Sequence, residues 1–161
     1  MDLKDKVPPH NLEAEKATLG AILLDWGSIG DVITYLRSDN FYSQQNQIIF
    51  EAMTGLFSKG IRGDMLTLID DLTKSGNLEK AGGTAYVSTL TDTVPTSSNV
   101  DYYAKIVLDN STRRNLIKIS SDIKSERLLR SRISAIRLRS PIFLSRPISL
   151  KSDGAVGASR L

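Results

Sequence analysis

The amino-acid sequence predicts an all-α fold, a compact helical bundle of five or six short helices followed by a longer helix. Three observations lead there. Apolar residues recur at i, i+3, i+4 and i+7 in one segment after another. Asn11, Ser43 and Asp64 precede such segments and Gly60 and Gly76 follow them, which is where helix caps and left-handed stop residues belong. No segment shows the strict alternation of a half-buried strand.

The elements follow in order. Residues 1–10 form a lead-in in which Pro8-Pro9 favours extended backbone, so a helix begins only after it. Asn11 caps a helix over residues 12–25, with Glu13 and Glu15 in the first turn, where the helix dipole favours negative charge. Leu12, Leu19, Ile22 and Leu23 share one of its faces. After Gly27, Ser28 caps a short helix with Asp31 in a capping-box position, and Ile29, Val32, Ile33 and Leu36 form its stripe. Ser43 caps the next, with Ile49, Ala52, Met53 and Leu56 inward and Gly60 at the end. Asp64 opens a helix carrying Met65, Leu68, Ile69 and Leu72, which Gly76 stops. Gly82-Gly83 makes a turn, and a helix with Tyr86, Val87 and Leu90 ends before Pro95. Asn99 caps the last and longest helix, which carries Tyr103, Ile106 and Val107, then Leu116, Ile119 and Ile123. The polar run from Asp109 to Arg114 predicts an exposed section or a bend in it. The domain plan is therefore a lead-in to residue 10, a bundle over 11–98, a helix over 99–126 and a tail from 127.

A chain of 161 residues with 40% hydrophobic and 24% charged residues has material for one domain with a core. It has no cysteine, which excludes disulfides, thiolate metal sites and a cysteine nucleophile. The N-terminus has no apolar signal-peptide core, and no run approaches a membrane span. No Gly-x4-Gly-Lys-Ser/Thr phosphate cradle is present. His10, the one histidine, lies beside prolines without a second metal-ligating residue. Asp70 and Asp71 are adjacent, point about 100° apart on a helix and cover a solvated face rather than forming an acid–base pair. The serines have no base partner at a recognisable spacing. No catalytic, cofactor-binding or metal-ligating residue emerges.

The charge is unevenly spread. Residues 1–126 hold 13 Lys/Arg and 17 Asp/Glu, a net of −4, and residues 127–161 hold eight Lys/Arg and one acid, a net of +7. Leu, Ser and Arg make up 20 of those last 35 residues but 30 of the first 126. These are the amino acids with six codons each, so an out-of-frame or appended sequence accounts for the tail. The alternative is a basic arm that neutralises phosphates, with Leu129, Ile133 and Ile136 on an amphipathic face.

Several segments in order, PPHNLEAEKATLGAILLD, NFYSQQNQIIFEAM, GDMLTLIDDLTKSGNLEKAGGTAYVSTL, VPTSSNVDYYAKIV and RRNLI, resemble the N-terminal domain of bacterial replicative DNA helicases of the DnaB family. The resemblance covers roughly residues 7–125. It implies a helical bundle followed by a helical hairpin. In the family the hairpins pair subunits, the domains form a collar on a hexameric ring, and the collar contacts primase. ATP and Mg²⁺ belong to a separate C-terminal motor that handles DNA, and no cofactor is expected in this chain. Leu12, Leu19, Ile22, Leu23, Phe41, Ile49, Leu68, Leu72, Leu78, Tyr86 and Leu90 match family core positions. Tyr103, Ile106, Val107, Arg113, Arg114, Leu116 and Ile117 fall where the first hairpin helix begins. With Ile119 and Ile123 they are the candidate subunit interface, against the alternative of plain packing on the bundle. The implied function is an assembly and primase-interaction domain in DNA replication, inactive as an ATPase by itself, in the bacterial cytoplasm and with no membrane partner. The alternative is a small helical protein that binds nucleic acid through its basic tail.

Overall fold

The computed structural model describes residues 7–94 and 96–139. The first six residues of the lead-in, Pro95, the tail beyond Arg139 and the side chains of Ile133 and Ile136 lie outside the described residues. The chain divides into two units, Met1–Ser121 and Asp122–Leu161. Six α-helices are described: α1 (Leu12–Leu24), α2 (Ile29–Val32), α3 (Gln44–Ser58), α4 (Met65–Lys74), α5 (Gly83–Asp92) and α6 (Val100–Arg139), with no strand among the described residues. The all-α expectation holds, and α6 is the long helix that follows the bundle.

Helix α1 is the centre of the first unit and packs on α3 and α5. Asn11 starts it as expected, accepting the Ala14 N–H at 2.9 Å. Its side chains explain how two neighbours come so close. Ala14, Ala17, Gly20 and Ala21 are buried beside Leu19 and Ile22. A Cβ on Gly20 would fall on the carbonyl of Leu90 in α5, so the α1–α5 crossing tolerates no side chain there. Leu12 departs from expectation and is 41% exposed. It is the first helical residue, and helical side chains lean toward the N-terminus, which carries this one past the edge of the core.

Two expected serine caps are not made. Ser28 already has helical backbone (φ −67°, ψ −19°), and its hydroxyl donates instead to the Asp25 carbonyl at 2.7 Å. Asp25 is the cap, accepting the Gly27 N–H into a 3₁₀ turn that precedes α2. Ser43 precedes α3 without a side-chain cap bond. The carboxylate of Glu15, from α1, takes the Tyr42 and Ser43 N–H groups at 2.6 and 3.2 Å and places negative charge at the start of α3.

Helices α3 and α4 end alike. At Gly60 (φ 68°) the Ile61 N–H reaches the Leu56 carbonyl and the Gly60 N–H that of Phe57. At Gly76 (φ 69°) Asn77 and Gly76 repeat the pattern on Leu72 and Thr73. This double closure requires a left-handed residue, which is why both positions are glycine. Asp64 caps α4 through the Thr67 N–H at 2.7 Å. Asp70 and Asp71 do lie on a solvated side, paired with Lys74 at 2.5 Å and Lys59 at 3.6 Å. The core of the unit joins Leu19 and Ile22 to Ile29, Leu36, Phe41, Ile49, Phe50, Met53, Leu68, Leu72, Val87 and Leu90. The Phe41 and Phe50 rings meet at 5.0 Å.

Asn99 lies in a 3₁₀ turn, Ser97–Asn99, whose side-chain cap is Thr96, accepting the Ser98 N–H. The run from Asp109 to Arg114 is neither a bend nor wholly exposed. Helix α6 continues through it, and Ser111 is 3% exposed. Its polar groups are used locally: Asn110 donates to the Ile106 carbonyl and Thr112 to that of Leu108. The helix also continues beyond residue 126, because residues 127–139 hold no glycine or proline and several good helix formers.

Candidate functional site

The first turns of α6 are bonded into the bundle. Asp101 accepts the Tyr35 hydroxyl at 2.9 Å. Burial, and then the bond to this carboxylate, push the Tyr35 phenol up to about 12. Val100, Ala104 and Val107 are buried. One turn further, Asn40 donates to the Ser111 hydroxyl at 3.0 Å. Arg114 then closes the packed section. Its guanidinium donates to the Pro9 carbonyl at 2.9 Å and to the Asn40 carbonyl at 2.5 Å, and it lies 5.7 Å from the centre of the Tyr42 ring. His10 stacks on Tyr42 at 4.3 Å. Every residue from Asn115 to Arg132 is exposed.

The nine interface candidates therefore separate into groups. Val107 is 1% exposed, and packing on the bundle is the role it has. Arg114 is engaged within the chain by carbonyls of the lead-in and the Ser38–Asn40 turn, a use that its motif position did not signal. Tyr103 and Ile106 are half-buried against the core and line an open groove of about 540 Å³ together with Lys16 and Ala17 of α1 and Thr93. Arg113 is exposed. Leu116, Ile117 and Ile119 are 61%, 48% and 54% exposed, and Ile123, in the second unit, is 54% exposed.

The bundle that carries this surface is fixed by a buried polar network. Glu15 is 1% exposed and accepts Asn46 Nδ2 at 2.8 Å, in addition to the two backbone N–H groups before α3. Asn46 Oδ1 accepts the Tyr86 hydroxyl at 2.8 Å, which ties α5 to the same point. Burial raises the Tyr86 phenol. Reading Glu15 only as a first-turn acid missed this role. The signal was its position four residues before Leu19, on the apolar stripe.

The arrangement combines a packed bundle, a braced helix and exposed aliphatic residues beyond the brace. Comparison with known proteins identifies the family. The DnaB-like helicase N terminal domain matches residues 7–109. The chain belongs to this family. A DnaB-family relative, the replicative DNA helicase DnaB of Treponema pallidum (strain Nichols), is 46% identical over 125 residues, which is 78% of this chain and 28% of the relative. The chain thus spans little more than a quarter of that protein's length. The N-terminal domain of DnaB helicase from Mycobacterium tuberculosis superposes with a TM-score of 0.71 at 35% identity, covering 74% of this chain and 86% of that one. The corresponding domain from Helicobacter pylori, solved with a description of its interactions with primase, shares the fold with a TM-score of 0.62 at 19% identity over 71% of this chain and 89% of its own. The DnaB N-terminal fold is therefore the frame in which the α6 surface sits.

Proposed function

We propose that this chain serves as the assembly domain of a replicative DNA helicase, taking part in DNA replication in the bacterial cytoplasm, with other helicase subunits and primase as its partners. One observation carries the reading. Beyond Arg114, α6 presents Leu116, Ile117 and Ile119 to solvent, and no described element of the first unit covers them. Burial of apolar area is worth about 25 cal/mol per Å², so such residues favour association. Tyr103 and Ile106 in the groove and exposed Arg113 add aromatic and cationic contacts of the kind found at protein interfaces. Primase is proposed because domains of this fold have been studied with it. ATP hydrolysis and DNA translocation belong to the motor of the full-length relatives, and this chain contains no phosphate cradle to carry them.

Light scattering over a concentration series tests the reading. A weak, concentration-dependent dimer is expected, because a single helix face bears the full entropic cost of association. Leu116→Asp with Ile119→Asp should hold the chain monomeric without changing its helix content. A monomer at all accessible concentrations removes the subunit-pairing role. A stable hexameric ring at micromolar protein would show that the bundle and α6 carry the whole assembly code. Titration with the cognate primase, read by fluorescence anisotropy, tests the second partner separately.

A further inference from the structure

We infer that the lead-in is a strap covering a binding site for an extended, proline-containing peptide, made by the Tyr42 ring and the Arg114 guanidinium. This goes beyond the assembly role and does not depend on it. The strap offers the site two groups. The Pro9 carbonyl accepts one arm of the guanidinium at 2.9 Å, and the His10 ring stacks on Tyr42 with centroids 4.3 Å apart and planes inclined by 16°. Nδ1 of His10 donates to the Pro8 carbonyl at 2.7 Å, which holds the ring against the backbone that carries it. Among the described residues, residues 7–10 make no other hydrogen bond to the rest of the chain, and Val7, Pro8 and His10 are exposed.

The site beneath is built without the strap. Tyr42 follows Phe41, which is buried, and the Tyr42 N–H donates to the Glu15 carboxylate at 2.6 Å. These contacts anchor the Tyr42 backbone in the core and none of them involves the lead-in. The other arm of Arg114 donates to the Asn40 carbonyl at 2.5 Å. Asn40 is itself fixed from two sides, because its Oδ1 accepts the Arg37 N–H at 2.7 Å and its Nδ2 donates to the Ser111 hydroxyl at 3.0 Å. The guanidinium lies 5.7 Å from the centre of the Tyr42 ring. An arginine and an aromatic ring are thus placed together in advance, and groups placed in advance bind with a smaller ordering cost. Both residue types are enriched at protein interfaces. Tyr42 is 39% exposed even with the strap seated, so an incoming segment can reach it.

The chemistry of the strap names the occupant. Pro8 and Pro9 have restricted φ and no N–H, so this backbone is extended before it docks and loses little freedom on docking. Proline-rich segments use the same advantage when they dock on aromatic surfaces. A proline carbonyl meets the guanidinium, and a flat ring one residue later meets Tyr42. A second peptide that presents this pair can take the place of the strap. Little has to be broken for the exchange. One hydrogen bond and one ring stack at the surface belong to the part of a fold that opens at low free energy. The strap then acts as a tethered competitor, and it weakens the apparent affinity for an incoming peptide in proportion to the fraction of the time it stays closed.

The test uses the isotope-labelled full chain and, as the probe, a blocked peptide copying residues 7–11 (VPPHN), followed by nuclear magnetic resonance. The peptide should shift the amides of Asn40, Tyr42 and Ser43 and the side-chain Nε–H of Arg114. His10→Ala removes the stack from the strap and leaves Tyr42 and Arg114 untouched. It should tighten the peptide about three- to tenfold, the range that one aromatic stack is worth. A peptide with alanine in place of its histidine should bind the same chain more weakly by a similar factor. Tyr42→Phe, added to His10→Ala, keeps the ring and should keep the binding. Tyr42→Ala or Arg114→Ala, each added to His10→Ala, should abolish the shifts, and circular dichroism should show the helix content unchanged in each. Equal affinity in the parent and His10→Ala overturns the inference, because the strap would then cover nothing. So does the absence of a saturable shift in His10→Ala at up to about 10 mM peptide. Shifts centred on Lys16 and Tyr103 would move the peptide to the open groove and overturn it too.

Discussion

Helix α1 buries eight of its 13 residues, whereas the stretch of α6 from Asn115 to Arg132 buries none. Both are helices with aliphatic residues at helical spacing. The difference lies in what surrounds them. The small residues of α1 let α3 and α5 approach, and at Gly20 the approach reaches the backbone of α5. Within the first unit, no described element covers α6 from Asn115 to Ser121. The same kind of aliphatic surface thus holds the fold together in one helix and remains available for association in the other. A stripe gives the direction a helix faces; only its neighbours determine whether that face is a core or an interface.

The widest separation between the two regions should appear on truncation. Leu19→Ala should lower the unfolding free energy by about 2–5 kcal/mol, the usual range for a buried leucine. Leu116→Ala should change it by less than about 0.5 kcal/mol at concentrations where the chain is monomeric. Deleting residues 127–161 should likewise leave a cooperative melt of the first unit. Urea unfolding followed by circular dichroism measures all three. A large loss at Leu116 would mean that α6 is covered within the chain.

Glu15 sharpens the comparison, because it is the one charged residue that α1 buries. Glu15→Gln keeps the shape but removes the negative charge from the start of α3. It also turns an amide donor toward either the Tyr42 N–H or the Ser43 N–H and Asn46 Nδ2, all of which donate to the native carboxylate. A loss of about 1–3 kcal/mol is expected, read as a shift in the urea midpoint. An unchanged midpoint would show that water or backbone movement replaces the network.

Most of the helix order was legible in the sequence. The stripes, Asn11 and Asp64 as caps and Gly60 and Gly76 as stops are local signals, and local geometry decides them. The misses were long-range. Ser43 has a cap-forming residue type, but Glu15, 28 residues away, takes its N–H. The run from Asp109 to Arg114 is polar because Asn40 and Pro9 wait across the bundle for Ser111 and Arg114. Of the candidate interface, Leu116, Ile117, Ile119 and Ile123 are exposed. Burial of Val107 and the inward turn of Arg114 depend on which elements pack beside α6, and periodicity carries no information on that.

Arg114 marks the boundary between the two regimes, so changing it should blur the boundary by a moderate amount. Arg114→Ala removes two charge-assisted hydrogen bonds to carbonyls and should cost about 1–2 kcal/mol. Hydrogen exchange should rise in the turn of α6 around Ser111, and proteolysis near Pro9 should become faster. Arg114→Lys should recover only part of this, because an ammonium does not reproduce the guanidinium fork that spans the Pro9 and Asn40 carbonyls. Equal protection in the parent and Arg114→Ala would place the brace elsewhere.

The smallest expected effect is at the other end of the packed section of α6, at Tyr35. Burial and the hydrogen bond to Asp101 raise its phenol from 10.0 to about 12, so the fold favours the protonated form. Below pH 10 both the folded and unfolded chains keep that proton, and the stabilisation is fully present. Between pH 10 and about 12 the unfolded chain releases it while the folded chain holds it, so stability falls as pH rises through this window. Tyr35→Phe removes the titrating group and leaves an exposed Asp101 oxygen that water can serve, so near neutral pH the variant should be nearly as stable as the parent. Its stability should decline less steeply above pH 10. Ultraviolet titration of the five tyrosines gives the direct reading. The parent should show a late component near pH 12 that Tyr35→Phe lacks, with far-ultraviolet circular dichroism recorded in parallel so that alkaline unfolding is seen if it comes first. Coincident titration curves for the two proteins would mean that the hydroxyl is as free as an ordinary surface phenol, and that the first turn of α6 is held by Val100 and Ala104 packing alone.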